Sequence, residues 1–255
     1  MRSIVGLALL ALLALAGPVW AAQPVEHPAE CRVAEPQIAR TFGLPRVAHA
    51  IAANRLNVLV LGAGSSALPG PNGQRKAYPA RLQDALSAAL PGVAVSVVTD
   101  VKARRTAVDM ALSLADDLAR SKPDLLVWQT GIVDALQGYD TDQFSDALER
   151  GIKIARAAGA DTVLINAQYS PRTESMIALG TYAELMRWVA LQQEIPLFDR
   201  FAVMKIWADL GTFDFNSSTK KLDMAEHVHD CIGRLLADLI VISAEPNGPQ
   251  ADGGR

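Results

Sequence analysis

From Asn57 onward the chain alternates short apolar runs with longer amphipathic stretches, and this rhythm constrains the fold more than any other feature. Val58-Leu59-Val60-Leu61 is apolar on both faces, as a strand covered on each side by helices must be. Similar runs recur at 93–98, 125–128, 162–165 and, weakly, 195–198. The stretches between them have helical spacing. Leu82, Leu86 and Ala89 share one face of a helix over 79–90, and Phe144, Leu148, Ile152 and Ala155 share a stripe over 142–158 that ends at Gly159. A helix over 106–120 opens with Thr106 and Asp109 at capping-box spacing, Asp standing in for Glu. Strands alternating with helices in this way predict a three-layer α/β/α sandwich around a central parallel sheet, doubly wound and flavodoxin-like.

The flanks divide the chain further. Arg2 followed by an apolar run to Ala16, a Gly17-Pro18 break and small residues to Ala22 predicts a signal peptide over 1–22. The run is shorter than the ~20 residues a membrane span needs, so no span is expected after cleavage, and the protein is expected to be periplasmic or secreted. Residues 23–53 read as an extended lead with an edge helix over 36–53, residues 54–243 as the α/β domain, and 244–255 as a disordered tail. An exported chain with two cysteines, Cys31 and Cys231, is expected to join them in a disulfide. The net charge of -3 and the absence of a dense Lys/Arg cluster argue against nucleic acid or an anionic membrane as partner.

In open parallel sheets, ligands gather at the carboxyl ends of the strands. After the first strand comes Gly62-Ala63-Gly64-Ser65-Ser66, a tight small-residue turn that would lift a serine hydroxyl above the sheet. It has no P-loop Lys and no Gly-x-Gly-x-x-Gly, which argues against nucleotide binding. The last helix, over 223–242, carries an apolar stripe through Val228, Ile232, Leu235, Leu236 and Leu239. His229 lies at the edge of that stripe with Glu226 on the same side, while His227 points to water. A serine, a histidine and a carboxylate in these places have the types a nucleophile, its base and an orienter require. Asp223 and His227 form a competing pair. Asn166, Gln168 and Tyr169 either line a polar cleft or close the turn before Pro171. Arg104-Arg105 would suit an anionic substrate but reads more simply as a solvated loop, and Trp128, Trp188 and Trp207 read as core.

The blocks resemble the SGNH (GDSL-type) hydrolase family over most of 57–242. Residues 58–66 stand where that family has a strand followed by Gly-Asp-Ser or Gly-Ser-Ser, and Tyr78-Pro79-Ala80-Arg81-Leu82 resembles its Tyr-Pro-x-x-Leu. Residues 122–135, with Gly131 and Asp134, look like a strand ending in Gly-Thr-Asn-Asp, and Glu226-His227-Val228-His229 has the spacing of Asp-x-x-His. The resemblance implies a serine esterase without metal or organic cofactor, acting on small acyl esters such as acetyl groups on glycans. Ser65 would be the nucleophile, with Ser66 as the alternative, His229 the base and Glu226 its orienter. Gly64, Gln129, Gly131, Val133, Asp134 and Gln168 would line the cleft. Three departures accompany it. Val133 replaces the Asn whose amide helps hold the oxyanion, no Gly stands near Arg104 or Arg105 where a second donor belongs, and a gapless count from Tyr78 puts Gly64 at the nucleophile position. These departures support an alternative from a different class, a degenerate SGNH-fold protein that binds a glycan or lipid without turnover.

Overall fold

The apolar runs form five parallel strands: β1 (Arg55–Gly62), β2 (Ala94–Val101), β3 (Leu125–Gln129), β4 (Asp161–Ile165) and β5 (Leu197–Phe198). Their order is β2-β1-β3-β4-β5, and every neighbouring pair is parallel. β3 is buried along its whole length, which is why its sequence shows no polar alternation. β2 is different. It is an edge strand, and Val98, expected inside, is 50% exposed. The computed structural model describes residues 22–33, 42–216 and 221–245. The expected signal peptide therefore lies almost wholly outside the described residues, as do 34–41 of the lead and 246–255 of the tail.

Ten helices are described: α1 (Pro45–Ala52), α2 (Gly73–Lys76), α3 (Tyr78–Ala89), α4 (Ala107–Ser121), α5 (Ile132–Gln137), α6 (Thr141–Ala157), α7 (Pro171–Glu174), α8 (Leu179–Gln192), α9 (Arg200–Asp209) and α10 (Lys221–Ala244). α3 packs on α10, α4 on α6, and α6 on α8. The Thr106–Asp109 capping box forms at the start of α4, each side chain bonding the other residue's backbone N–H. Gly159, just beyond α6, takes φ +83°, the left-handed turn a glycine accepts without strain. Trp128 and Trp207 are core, whereas Trp188 is 55% exposed on α8, because that helix has apolar residues on its outer side too.

Gly233 is where α10 meets α3. A Cβ there would come within 2.5 Å of Arg81 Cβ and 2.9 Å of backbone atoms of Arg81 and Leu82. Backbone cannot swing aside, so Gly233→Ala must push the two helices apart. Its expected cost is about 1–3 kcal/mol of stability, measured by urea unfolding. An unchanged midpoint would mean the helices give way freely.

Residue 31 of the lead is tied to α10 by a Cys31–Cys231 disulfide with Cα atoms 4.9 Å apart. The same lead is held by Arg234, which donates to the Glu26 carbonyl at 2.8 Å, and by His27 against Asp238. No described helix is long and apolar enough to cross a membrane.

Candidate functional site

The strand order reverses at β1. The chain leaves it to add β2 on one side and returns to add β3 on the other, so the loops after β1 and β3 diverge and open a crevice. From β1 comes a single 3-10 turn, Gly64–Ser66, and from β3 comes Gln129 followed by Gly131 at φ +98°. These two loops meet through side chains. The Gln129 carbonyl oxygen accepts from Ser65 Oγ at 3.1 Å and from Ser66 Oγ at 2.6 Å. Ser66 is buried beneath Gly62, where a Cβ would lie 2.3 Å from its Oγ, and it also shares a hydrogen bond with the Tyr78 hydroxyl at 3.1 Å. Ser65 is partly exposed, so it is the more reachable of the two hydroxyls.

The floor of the β3 loop is set by Asp134. Its buried carboxylate accepts from the backbone N–H of Ala107 at 2.8 Å and of Gly131 at 3.2 Å, and from Thr130 Oγ1 at 3.2 Å. Burial raises its pKa, against those hydrogen bonds, which lower it. Asp134 is thus a brace between β3 and the start of α4. Val133 beside it, in the first turn of α5, has no side-chain donor to offer an oxyanion. Arg104, by contrast, has φ +64°, in the left-handed region that favours glycine. Arg105 is internal: it donates to Asp100 at 2.7 Å and to Ser113 at 2.6 Å, and so is not the solvated cation its sequence suggests.

The expected Ser–His–Glu relay is not assembled. His229 is buried on α10, and its Nδ1 accepts the backbone N–H of Tyr78 at 3.0 Å. That is the nitrogen an orienting carboxylate would need to engage as a donor. Glu226 instead pairs with Lys76 at 2.7 Å, because α2 brings that ammonium alongside the first turns of α10. Among the described residues no hydrogen bond joins either serine to either histidine. Asp223 and His227, the competing pair, are both exposed on the outer side of α10. With Nδ1 used as an acceptor, the neutral imidazole carries its proton on Nε2 and is a donor there. Burial, and then the Arg200 cation, hold the His229 pKa at about 3.

Arg200 is the site residue that the sequence does not announce. It opens α9 directly after β5 and is 1% exposed. One guanidinium nitrogen donates to the Ser65 carbonyl at 3.0 Å and the other to the Gln168 side-chain oxygen at 3.3 Å, while Nε has no partner. The group also lies 6.0 Å from the centre of the Tyr78 ring. Burial brings its pKa down to about 10, so it remains a cation at neutral pH, and the same burial pushes the Tyr78 hydroxyl up to about 12. Asn166 turns out to be structural. It donates to Asp199 at 2.8 Å and accepts from the Phe201 N–H at 2.9 Å, fixing the start of α9. Gln168 and Tyr169 line a cavity of about 140 Å³ together with Arg200 and His229. A larger cavity of about 460 Å³ lies along β2, beside Ser66, Arg75 and Lys102.

A five-stranded parallel sheet in this order, with a seryl turn after β1 and a Gly-x-x-Asp loop after β3, is the architecture of SGNH-type hydrolases. The profile of the non-GDSL lipase-like family matches residues 30–246, and the chain belongs to that family. Solved structures agree on the fold. TesA is 24% identical, with a TM-score of 0.56, covering 71% of this chain and 98% of its own. LAE5, an α/β hydrolase enzyme from the metagenome of Lake Arreo, is 18% identical, with a TM-score of 0.58 over 74% of this chain and 94% of its own. A mutant form of Axe2, an acetyl-xylooligosaccharide esterase from Geobacillus, is 15% identical, with a TM-score of 0.56 over 78% of this chain and 97% of its own. No curated protein matches.

Proposed function

We propose that this chain is an exported SGNH-fold protein that binds a small acyl-bearing ligand at the carboxyl ends of its strands without turning it over. The observation that carries this reading is the hydrogen bonding of His229. Its Nδ1 is held by the Tyr78 N–H, Glu226 is held by Lys76, and both seryl hydroxyls donate to an amide carbonyl, which is not a base. A serine hydroxyl needs a base to become a nucleophile, and an imidazole with its proton on Nε2 and a pKa of about 3 cannot supply one. Loss of a triad member costs roughly 10⁴–10⁶ in kcat. The disulfide fits an oxidising compartment, in keeping with export.

A second reading, ester hydrolysis through Ser65, is favoured by two features: the turn after β1 leaves Ser65 partly exposed, and Arg104 has a positive φ, in the region that favours glycine. The two readings separate in one assay. Incubation with a fluorophosphonate probe and with p-nitrophenyl acetate is expected to give no stoichiometric labelling and no turnover beyond that of Ser65→Ala. Labelling that disappears in both Ser65→Ala and His229→Ala would establish the serine esterase instead.

A further inference from the structure

The mature fold keeps a buried guanidinium that no carboxylate neutralises among the described residues. Asp199, its neighbour in sequence, is engaged by Arg187 at 2.6 Å and by Asn166, and the titratable side chains beside Arg200, Tyr78 and His229, are both neutral. Burying a cation without a partner is costly, and proteins rarely retain one without a use. Among the described residues two of its N–H groups find acceptors, and the Gln168 contact at 3.3 Å is long.

The surroundings say what the missing partner resembles. Arg200, Gln168 and His229 line the cavity of about 140 Å³ together with Phe215, Met224 and Val228. The polar lining includes several donors. Arg200 is a cation, His229 carries its proton on Nε2 because Tyr78 occupies its other nitrogen, and among the described residues no hydrogen bond engages the Gln168 amide nitrogen. The rest of the lining is largely apolar and includes the flexible Met204 and Met224. A cavity near 150 Å³ is known to admit a molecule of about six heavy atoms. We propose that this cavity binds the carboxylate of a short-chain apolar acid, its head on Arg200 and the Nε2–H of His229 and its tail against Phe215, Met224 and Val228.

The inference rests on the reading of the site as a binding site, yet it can fail separately. The purified full-length mature protein is titrated with butyrate, hexanoate, their primary amides and inorganic phosphate, following heat by calorimetry and the melting temperature. Butyrate and hexanoate are expected to bind saturably and raise the melting temperature, while the amides do neither. Arg200→Lys should weaken hexanoate by about tenfold or more, since the planar fork is lost. Arg200→Met should abolish binding. Should a variant at this buried position fail to fold, Val228→Trp fills the cavity with Arg200 intact, and it too should abolish binding of hexanoate. No carboxylate response up to about 10 mM, equal binding of the amides, or phosphate binding as tightly as hexanoate would each overturn the proposal. Hydrolysis of p-nitrophenyl butyrate that depends on Ser65 would overturn the no-turnover reading and leave the carboxylate site standing.

Discussion

Reduction of the Cys31–Cys231 bridge is expected to lower the stability of the protein by at most about 4–5 kcal/mol, the largest single effect any one covalent change should have here. The two cysteines are 200 residues apart in sequence, so the bond closes a loop that includes every strand. In the chain-entropy account the gain lies in the unfolded ensemble, which the bond makes smaller, and it grows with loop length. The native side of the balance limits the loss. Both half-cystines are 1% exposed, and the lead is also held by His27 against Asp238, by Arg234 on the Glu26 carbonyl and by Gln23 N–H on the Ala89 carbonyl. The fold should therefore survive reduction with a lower melting temperature, about 2–4 °C for each kcal/mol in a chain of this size. Calorimetry of oxidised and reduced protein, and of a Cys31→Ser, Cys231→Ser double variant, checks this. A melting temperature unchanged on reduction would mean that the unfolded chain is already compacted across the same two points.

How much of this was open to a reader of the sequence follows from what each residue type can say about itself. β1 and β3 announce themselves because both faces are buried, and no polar residue interrupts 58–61 or 125–128. α8 and α9 do not. α8 exposes Trp188 and Leu191 alongside its buried residues, so no clean stripe emerges, and α9 begins with a charged residue that turns out to be interior. The same difficulty hides the centre of the site. An arginine in a sequence reads as surface, and nothing local shows that Arg200 will be covered by Tyr78 and the seryl turn. Tyr78 was visible only as part of a block signature, whereas its decisive contribution is a backbone N–H, a group every residue but proline has. Spacing puts Glu226 and His229 on one side of α10. Which of them a neighbour would claim depended on α2, a single short turn whose Lys76 no periodicity could bring into view.

Acid should expose the state of His229. Its pKa is about 3 in the fold against the ordinary 6.5 of a solvated imidazole, so below pH 6.5 the unfolded chain binds a proton that the native chain refuses. Stability then falls as the pH is lowered, at about 1.4 kcal/mol per unit, from the unfolded value down toward the folded one. Between pH 6.5 and pH 4.5 this amounts to about 2–3 kcal/mol from one side chain. Two causes produce the shift, burial first and the Arg200 cation second, and both arise from the site itself. Other groups contribute to the pH dependence as well. Burial raises Asp134 and Asp161, which acts with the opposite sign, so the wild-type profile alone mixes several contributions. The comparison that isolates the imidazole is His229→Asn, whose side-chain oxygen can still accept the Tyr78 N–H. Urea unfolding at the two pH values should show the wild type losing about 2–3 kcal/mol more than the variant. Equal losses would mean that the imidazole reaches a proton and a water in the native state. It would then be free to act as a base, and the case for a site that binds without turnover would lose its main support.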